Sequence, residues 1–179
     1  YSGVLSGTGN LTKRGGGTQT LSGTNSFSGS VTVQQGGTLS VPSVAASGNQ
    51  PLGAGTGNIG LANASTLAIT GAGSYTLPSS RGLSLSGAGG VLNVSAGTVS
   101  MSGGITGDTN SAHFTKAGAG TLNYSGSASW SGIGASGPNA YRLSIITSTA
   151  PETDAASMND RWRGGHAVSH WWYGGLTQL

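Results

Sequence analysis

Along most of the chain, large apolar residues fall at every second position in short runs. STLAIT (65–70), SYTLP (74–78), GLSLSG (82–87), VLNVSAG (91–97) and TVSMSG (98–103) show the pattern. A period of two predicts strands in which Leu67 and Ile69, Tyr75 and Leu77, Leu83 and Leu85, Leu92 and Val94, and Val99 and Met101 share an inner face. The alternate positions are mostly Ser, Thr, Ala or Asn, which gives each strand a polar outer face. No stripe of period 3.6 runs through residues 1–132, and glycine in a helix interior costs about 1 kcal/mol relative to alanine, so helix is disfavoured there.

The stretch LTKRGGGTQTLSGTNSFSG (11–29) returns 103 positions later as FTKAGAGTLNYSGSASWSG (114–132), with 10 of 19 positions identical. Leu11, Leu21 and Phe27 become Phe114, Tyr124 and Trp130, and this exchange of one large apolar residue for another predicts that all three slots face a core. An internal repeat of short strands favours a solenoid over a sandwich or barrel, each coil of about 20 residues or more burying its inner face by stacking on its neighbours. Gly36-Gly37, Gly89-Gly90 and Gly103-Gly104 are then corner markers, where positive φ and close backbone approach are expected. Lys13 and Lys116 recur at one repeat position and read as solvated lysines at a coil edge that discourage unwanted strand pairing.

Composition sharpens this picture. The 179 residues fit one domain, yet 35 are Gly and only 11 are charged, a bias that alone would suggest a linker or disorder. Patterned apolar residues argue otherwise, because disordered chains lack the apolar area that offsets the entropy of ordering. The net charge of +3 reflects a scarcity of acids. No basic run exceeds Lys13-Arg14, which argues against a nucleic-acid partner. Cysteine is absent, so neither disulfides nor thiolate metal sites are available. No apolar run approaches the roughly 20 residues of a membrane-spanning helix. The chain opens at Tyr1 without a signal-peptide pattern, as expected of a processed chain or a piece of a longer one.

Three blocks carry a family resemblance: GNLTKRGGGTQTLSGTNSFSGSVTVQQGGTLSV (9–41), PLGAGTGNIGLANASTLAIT (51–70) and GGITGDTNSAHFTKAGAGTLNYSG (103–126). Residues 3–132, about three quarters of the chain, resemble the autotransporter-associated β-strand repeat found in passenger regions of large bacterial surface proteins. The resemblance implies an all-β fold, a right-handed single-stranded parallel β-helix, secreted or displayed on the bacterial surface. It also implies a non-catalytic structural or adhesive role, with an unidentified surface or carbohydrate ligand. End-to-end or edge self-association is a further expectation, because a solenoid leaves strand edges to pair.

The pattern changes after Gly132, dividing the chain into solenoid repeats (1–132) and an atypical tail (133–179). The tail holds 6 of the 11 charged residues and 3 of the 4 tryptophans. It reads in three ways: foreign sequence, a cap over the open solenoid end, or a functional site. For the cap, LSIIT (143–147) supplies a strand, and Thr149, Pro151, Glu152, Asp154, Arg161, Arg163 and Gly164-Gly165 are placed to start and end a helix over about 150–163. For the site, His166 and His170 lie four apart, with Glu152, Asp154 and Asp160 nearby in sequence. His166, His170 and Asp160 are the candidate catalytic groups of an ester or lactone hydrolase, and Glu152, Asp154, His166 and His170 the candidate ligands of a divalent cation such as calcium or zinc. Under the structural reading no cofactor is expected.

Other motifs carry less. Gly55-Thr56-Gly57-Asn58-Ile59-Gly60 matches a dinucleotide fingerprint without the helix or acidic residue that would give it meaning. No Gly-x-Ser-x-Gly elbow occurs. Asp108 and His113 read as a loop acid and an incidental histidine, since closeness in sequence supplies no triad geometry.

Overall fold

The computed structural model describes residues 1–108, 112–130 and 143–145, and for Ser129, Trp130 and the last three the backbone alone. The alternating runs form strands that wind from one face to the next. The first coil contains β1 (Leu11–Lys13) and β2 (Thr18–Thr20), and the second β3 (Val31–Val33) and β4 (Thr38–Val41). The third adds another face, with β5 (Ile59–Ala62), β6 (Ser65–Ile69) and β7 (Ser74–Leu77). The fourth has β8 (Leu83–Ser86), β9 (Gly90–Val94) and β10 (Thr98–Met101), and the fifth β11 (Ile105–Gly107), β12 (Phe114–Ala117) and β13 (Thr121–Tyr124). A sixth turn contributes β14 (Ala128–Trp130) and β15 (Leu143–Ile145).

Each strand pairs in parallel with its counterpart one coil away. The three resulting sheets are β1-β3-β5-β8-β11-β14 (face A), β2-β4-β6-β9-β12-β15 (face B) and β7-β10-β13 (face C). This is the expected parallel β-solenoid. Register partners Leu11, Val31, Ile59, Leu83, Ile105 and Ala128 mark coil lengths of 20, 28, 24, 22 and 23 residues. The longest coil carries the segment 42–58, held by a two-residue antiparallel bridge in which Asn25 and Gln50 exchange backbone bonds. Buried Asn25 also uses its side chain, accepting from the Leu5 amide at 2.8 Å and donating to the Pro51 carbonyl at 2.7 Å.

Inward positions stack into aliphatic columns. On face B, Leu39, Leu67 and Leu92 lie in one register and Val41, Ile69 and Val94 in another, all buried. Val31, Ile59, Leu83 and Ile105 do the same on face A. Parallel strands lie about 4.7–4.9 Å apart, so each column places one branched side chain directly on the next. The inner-face pairs expected from alternation are buried, apart from half-buried Tyr75. Leu21, Phe27 and Phe114 are buried, Leu11 and Tyr124 half-buried, and the side chain of Trp130 lies outside the described residues.

Two expected corner glycines need their conformational freedom: Gly36 has φ +66° and Gly89 φ +79°. Gly103-Gly104 also sits at a corner, but Gly103 is required there by closeness, since an added Cβ would lie 2.8 Å from the Arg81 carbonyl oxygen. Within the tail, Leu143–Ile145 extends face B by pairing in register with Phe114–Lys116, which places a strand inside the expected LSIIT segment. The expected helix at about 150–163 lies outside the described residues.

Candidate functional surface

The outward positions of the strands form ladders of small polar groups. On face A, Thr12, Thr32, Ser84 and Thr106 share one register, interrupted by Gly60; on face B, Thr18, Thr38, Thr66 and Thr115 share another, interrupted by apolar Val91. Face C is the most regular, with Ser74, Thr98 and Thr121 in one row and Thr76, Ser100 and Asn123 in the next. Among the described residues these six side chains bond to no protein group, leaving an uncharged grid of donors and acceptors directed at solvent.

The few charged side chains are drawn away from these faces. Arg81 is fully buried, and its guanidinium donates to the carbonyls of Leu52 (3.0 Å), Gly53 (3.3 Å) and Gly57 (3.4 Å). It fastens the segment 42–58 to the corner between faces C and A. Sequence reasoning passed over it, although Arg81 is the one charged residue between Arg14 and Asp108. Lys116 is only 2% exposed and donates to the carbonyls of Gly118 (2.6 Å) and Gly120. The solvated-edge reading therefore fails for Lys116: it occupies the inward column after Leu92, where water is excluded, and turn carbonyls replace the lost hydration. Half-buried Lys13 is likewise bound, to the carbonyls of Arg14 (2.8 Å) and Gly15 (2.6 Å).

Desolvation pushes the Lys116 ammonium below its ordinary value of 10.5. The folded protein thus releases this proton before the unfolded chain does, and its contribution to stability, fully present above 10.5, is lost as pH falls through the folded value. Tyr124 acts oppositely: burial raises its hydroxyl above 10.0, so its contribution is lost as pH rises through the folded value. Urea midpoints should therefore rise from neutral pH toward 10.0 in the parent protein, and the rise should be absent in Lys116→Met.

The other sequence candidates do not form a catalytic constellation in the described residues. Asp108 accepts from the Gly87 amide at 3.0 Å, while the His113 backbone carbonyl accepts from Gly90 at 2.9 Å, so both serve the corner between faces A and B. The Gly55–Gly60 stretch leads directly into β5, and Asn58 accepts from the Gly82 amide at 3.0 Å; no helix follows to bind a phosphate. Glu152, Asp154, Asp160, His166 and His170 lie outside the described residues. Among the described residues no three His, Cys, Asp or Glu side chains converge.

Residues 11–41 and 114–134 match the passenger-associated-transport-repeat. The chain carries two passenger-associated transport repeats. A 69-residue stretch, 38% of the chain, is 49% identical to an adhesin autotransporter, BmaC, of Brucella suis biovar 1 (strain 1330), and spans 2% of that protein's length. No solved structure matches the chain. The repeats and the parallel coils together make this a β-solenoid segment of the autotransporter-passenger type.

Proposed function

We propose that the segment is a stiff, non-catalytic part of a surface-displayed passenger, with the coils as scaffold and the hydroxyl and amide ladders as an adhesive face. The observation that carries this reading is the face C grid: six outward polar side chains with no partner among the described residues and no charge among them. The similarity to an adhesin over 69 residues supports the same role, as do the transport repeats for secretion to the cell surface. The right-handed winding implied by the resemblance belongs to this proposal and agrees with the strong preference of parallel crossovers for that hand.

Uncharged ladders recognise a ligand by many short hydrogen bonds, each contributing about 0.5–1.5 kcal/mol net, and such binding is insensitive to salt. The purified chain immobilised on a sensor should bind neutral glycans or epithelial cell surfaces equally well at low and high ionic strength. Replacing Thr98 and Thr121 with Lys should weaken that binding. Absence of binding to every surface offered, or binding abolished by salt, would remove the adhesive reading.

A further inference from the structure

We propose that the repeated Thr-Lys-x-Gly-x-Gly-Thr motif is a portable corner: a lysine-clamped turn that ends whichever strand precedes it and starts the next strand on the adjacent face.

The two copies do not occupy equivalent places in the solenoid. In the first, the motif leaves face A at β1 and enters face B at β2; in the second, it leaves face B at β12 and enters face C at β13. The sequence repeat is thus displaced by one face from the structural repeat, and what the copies share is local. In both, the lysine is at an inward register position, Lys13 opposite Val33 and Lys116 opposite Leu92. In both, a left-handed glycine follows two residues later, Gly15 at φ +76° and Gly118 at φ +84°. In both, the ammonium donates to that glycine's carbonyl at 2.6 Å. The next strand then opens with Thr18 or Thr121, five residues beyond the lysine.

Two corners without lysine, both from face A to face B, keep this spacing by other means. Val33 to Thr38 is again five residues, with Gln35 and Gly36 at positive φ; so is Leu61 to Thr66, with Asn63 and Ala64. On the B-to-C corner, by contrast, Leu92 takes six residues to reach Thr98 and Leu67 seven to reach Ser74. The lysine therefore replaces an aliphatic residue of the column and supplies the turn's hydrogen bonds from inside. The next coil makes room for it: a Cβ added to Gly37 would lie 2.8 Å from the Lys13 ammonium nitrogen. A charge that turns back onto its own corner depends on neither face, which explains how one motif serves two.

Amide hydrogen exchange on the folded chain tests the clamp. Lys116→Met keeps the stem and removes the donors, so exchange at Gly120 and Thr121, whose amides bond to the coil below, should accelerate about tenfold or more. Leu92→Met, in the same column, should leave these two amides within about twofold of the parent. Unchanged protection in Lys116→Met would overturn the clamp. If Lys116→Met does not fold, Lys13→Met in the first coil provides the same test at Gln34 and Thr38, whose amides bond to the Lys13 and Gly17 carbonyls at the two ends of the clamped turn. Portability is tested by Val33→Lys, Gln34→Arg and Gln35→Gly together, which write the first motif into the second coil. The expected result is a folded chain in which the Gln34 and Thr38 amides stay protected; a chain that unfolds, or loses that protection, would refute portability.

Discussion

Arg81→Ala is expected to destabilise the solenoid by about 4 kcal/mol, a large share of the total for a domain of this size. The guanidinium reaches three carbonyls spread over Leu52 to Gly57, and two of these bonds are buried. Truncation leaves those acceptors without donors at about 1–3 kcal/mol each, and adds a cavity where the aliphatic stem packed. Burial also holds the guanidinium below its ordinary pKa, so removing it returns some desolvation energy, which is why the expected loss falls short of the sum. Arg81→Lys should recover only part, because one ammonium cannot span the same acceptors. Urea titrations followed by near-ultraviolet circular dichroism would measure both. An Ala variant within about 1 kcal/mol of the parent would show that Arg81 does not fasten the segment 42–58.

Gly89→Val is expected to cost still more, about 4–6 kcal/mol, and to detach the fifth coil from the fourth. Gly89 sits at φ +79°, strained for any β-branched residue, and its added Cβ would overlap the carbonyl oxygen and amide nitrogen of His113. Both obstacles are backbone, so no rotamer change relieves them. Relief by separation would break the 2.9 Å bond from the Gly90 amide to the His113 carbonyl. Gly36→Ala is the control: φ is +66° there too, yet nothing lies within 4 Å of the added Cβ, and only the backbone cost of about 1–2 kcal/mol applies. Limited proteolysis and urea midpoints should rank the two variants far apart. Similar losses would mean that corner glycines are needed for φ alone and that the coils are not in close contact.

Much of the fold was legible because a solenoid core is built from local alternation. Leu83 and Leu85 fall on the inner face by the period of two alone, whatever they stack upon. What alternation could not show was the phase. The 103-residue repeat matches Leu11 with Phe114 and predicts that both face a core, but it does not show that Leu11 belongs to face A and Phe114 to face B, because the shared motif specifies a turn and not a position around the coil. Lys116 was misread for a related reason. A lysine in a polar-looking run suggests solvent, and only the register with Leu92 shows that its stem completes an aliphatic column while the ammonium meets carbonyls. The polar grid of face C was visible only as composition, since the rows of Ser74, Thr98 and Thr121 arise from pairing between coils more than 20 residues apart.

The most direct test of stacked, in-register parallel coils uses the absence of cysteine from the chain. Thr38 and Thr66 are outward Cα partners on adjacent coils, and parallel strands hold such partners about 4.7–4.9 Å apart, inside the roughly 4.4–6.8 Å window for a disulfide. Thr38→Cys with Thr66→Cys should cross-link quantitatively on mild oxidation, whereas Thr38→Cys with Ala68→Cys, two residues out of register, should not. If the first pair stays reduced while Val33→Cys with Thr38→Cys closes across the turn at 34–37, the strands form antiparallel hairpins and the solenoid account is wrong.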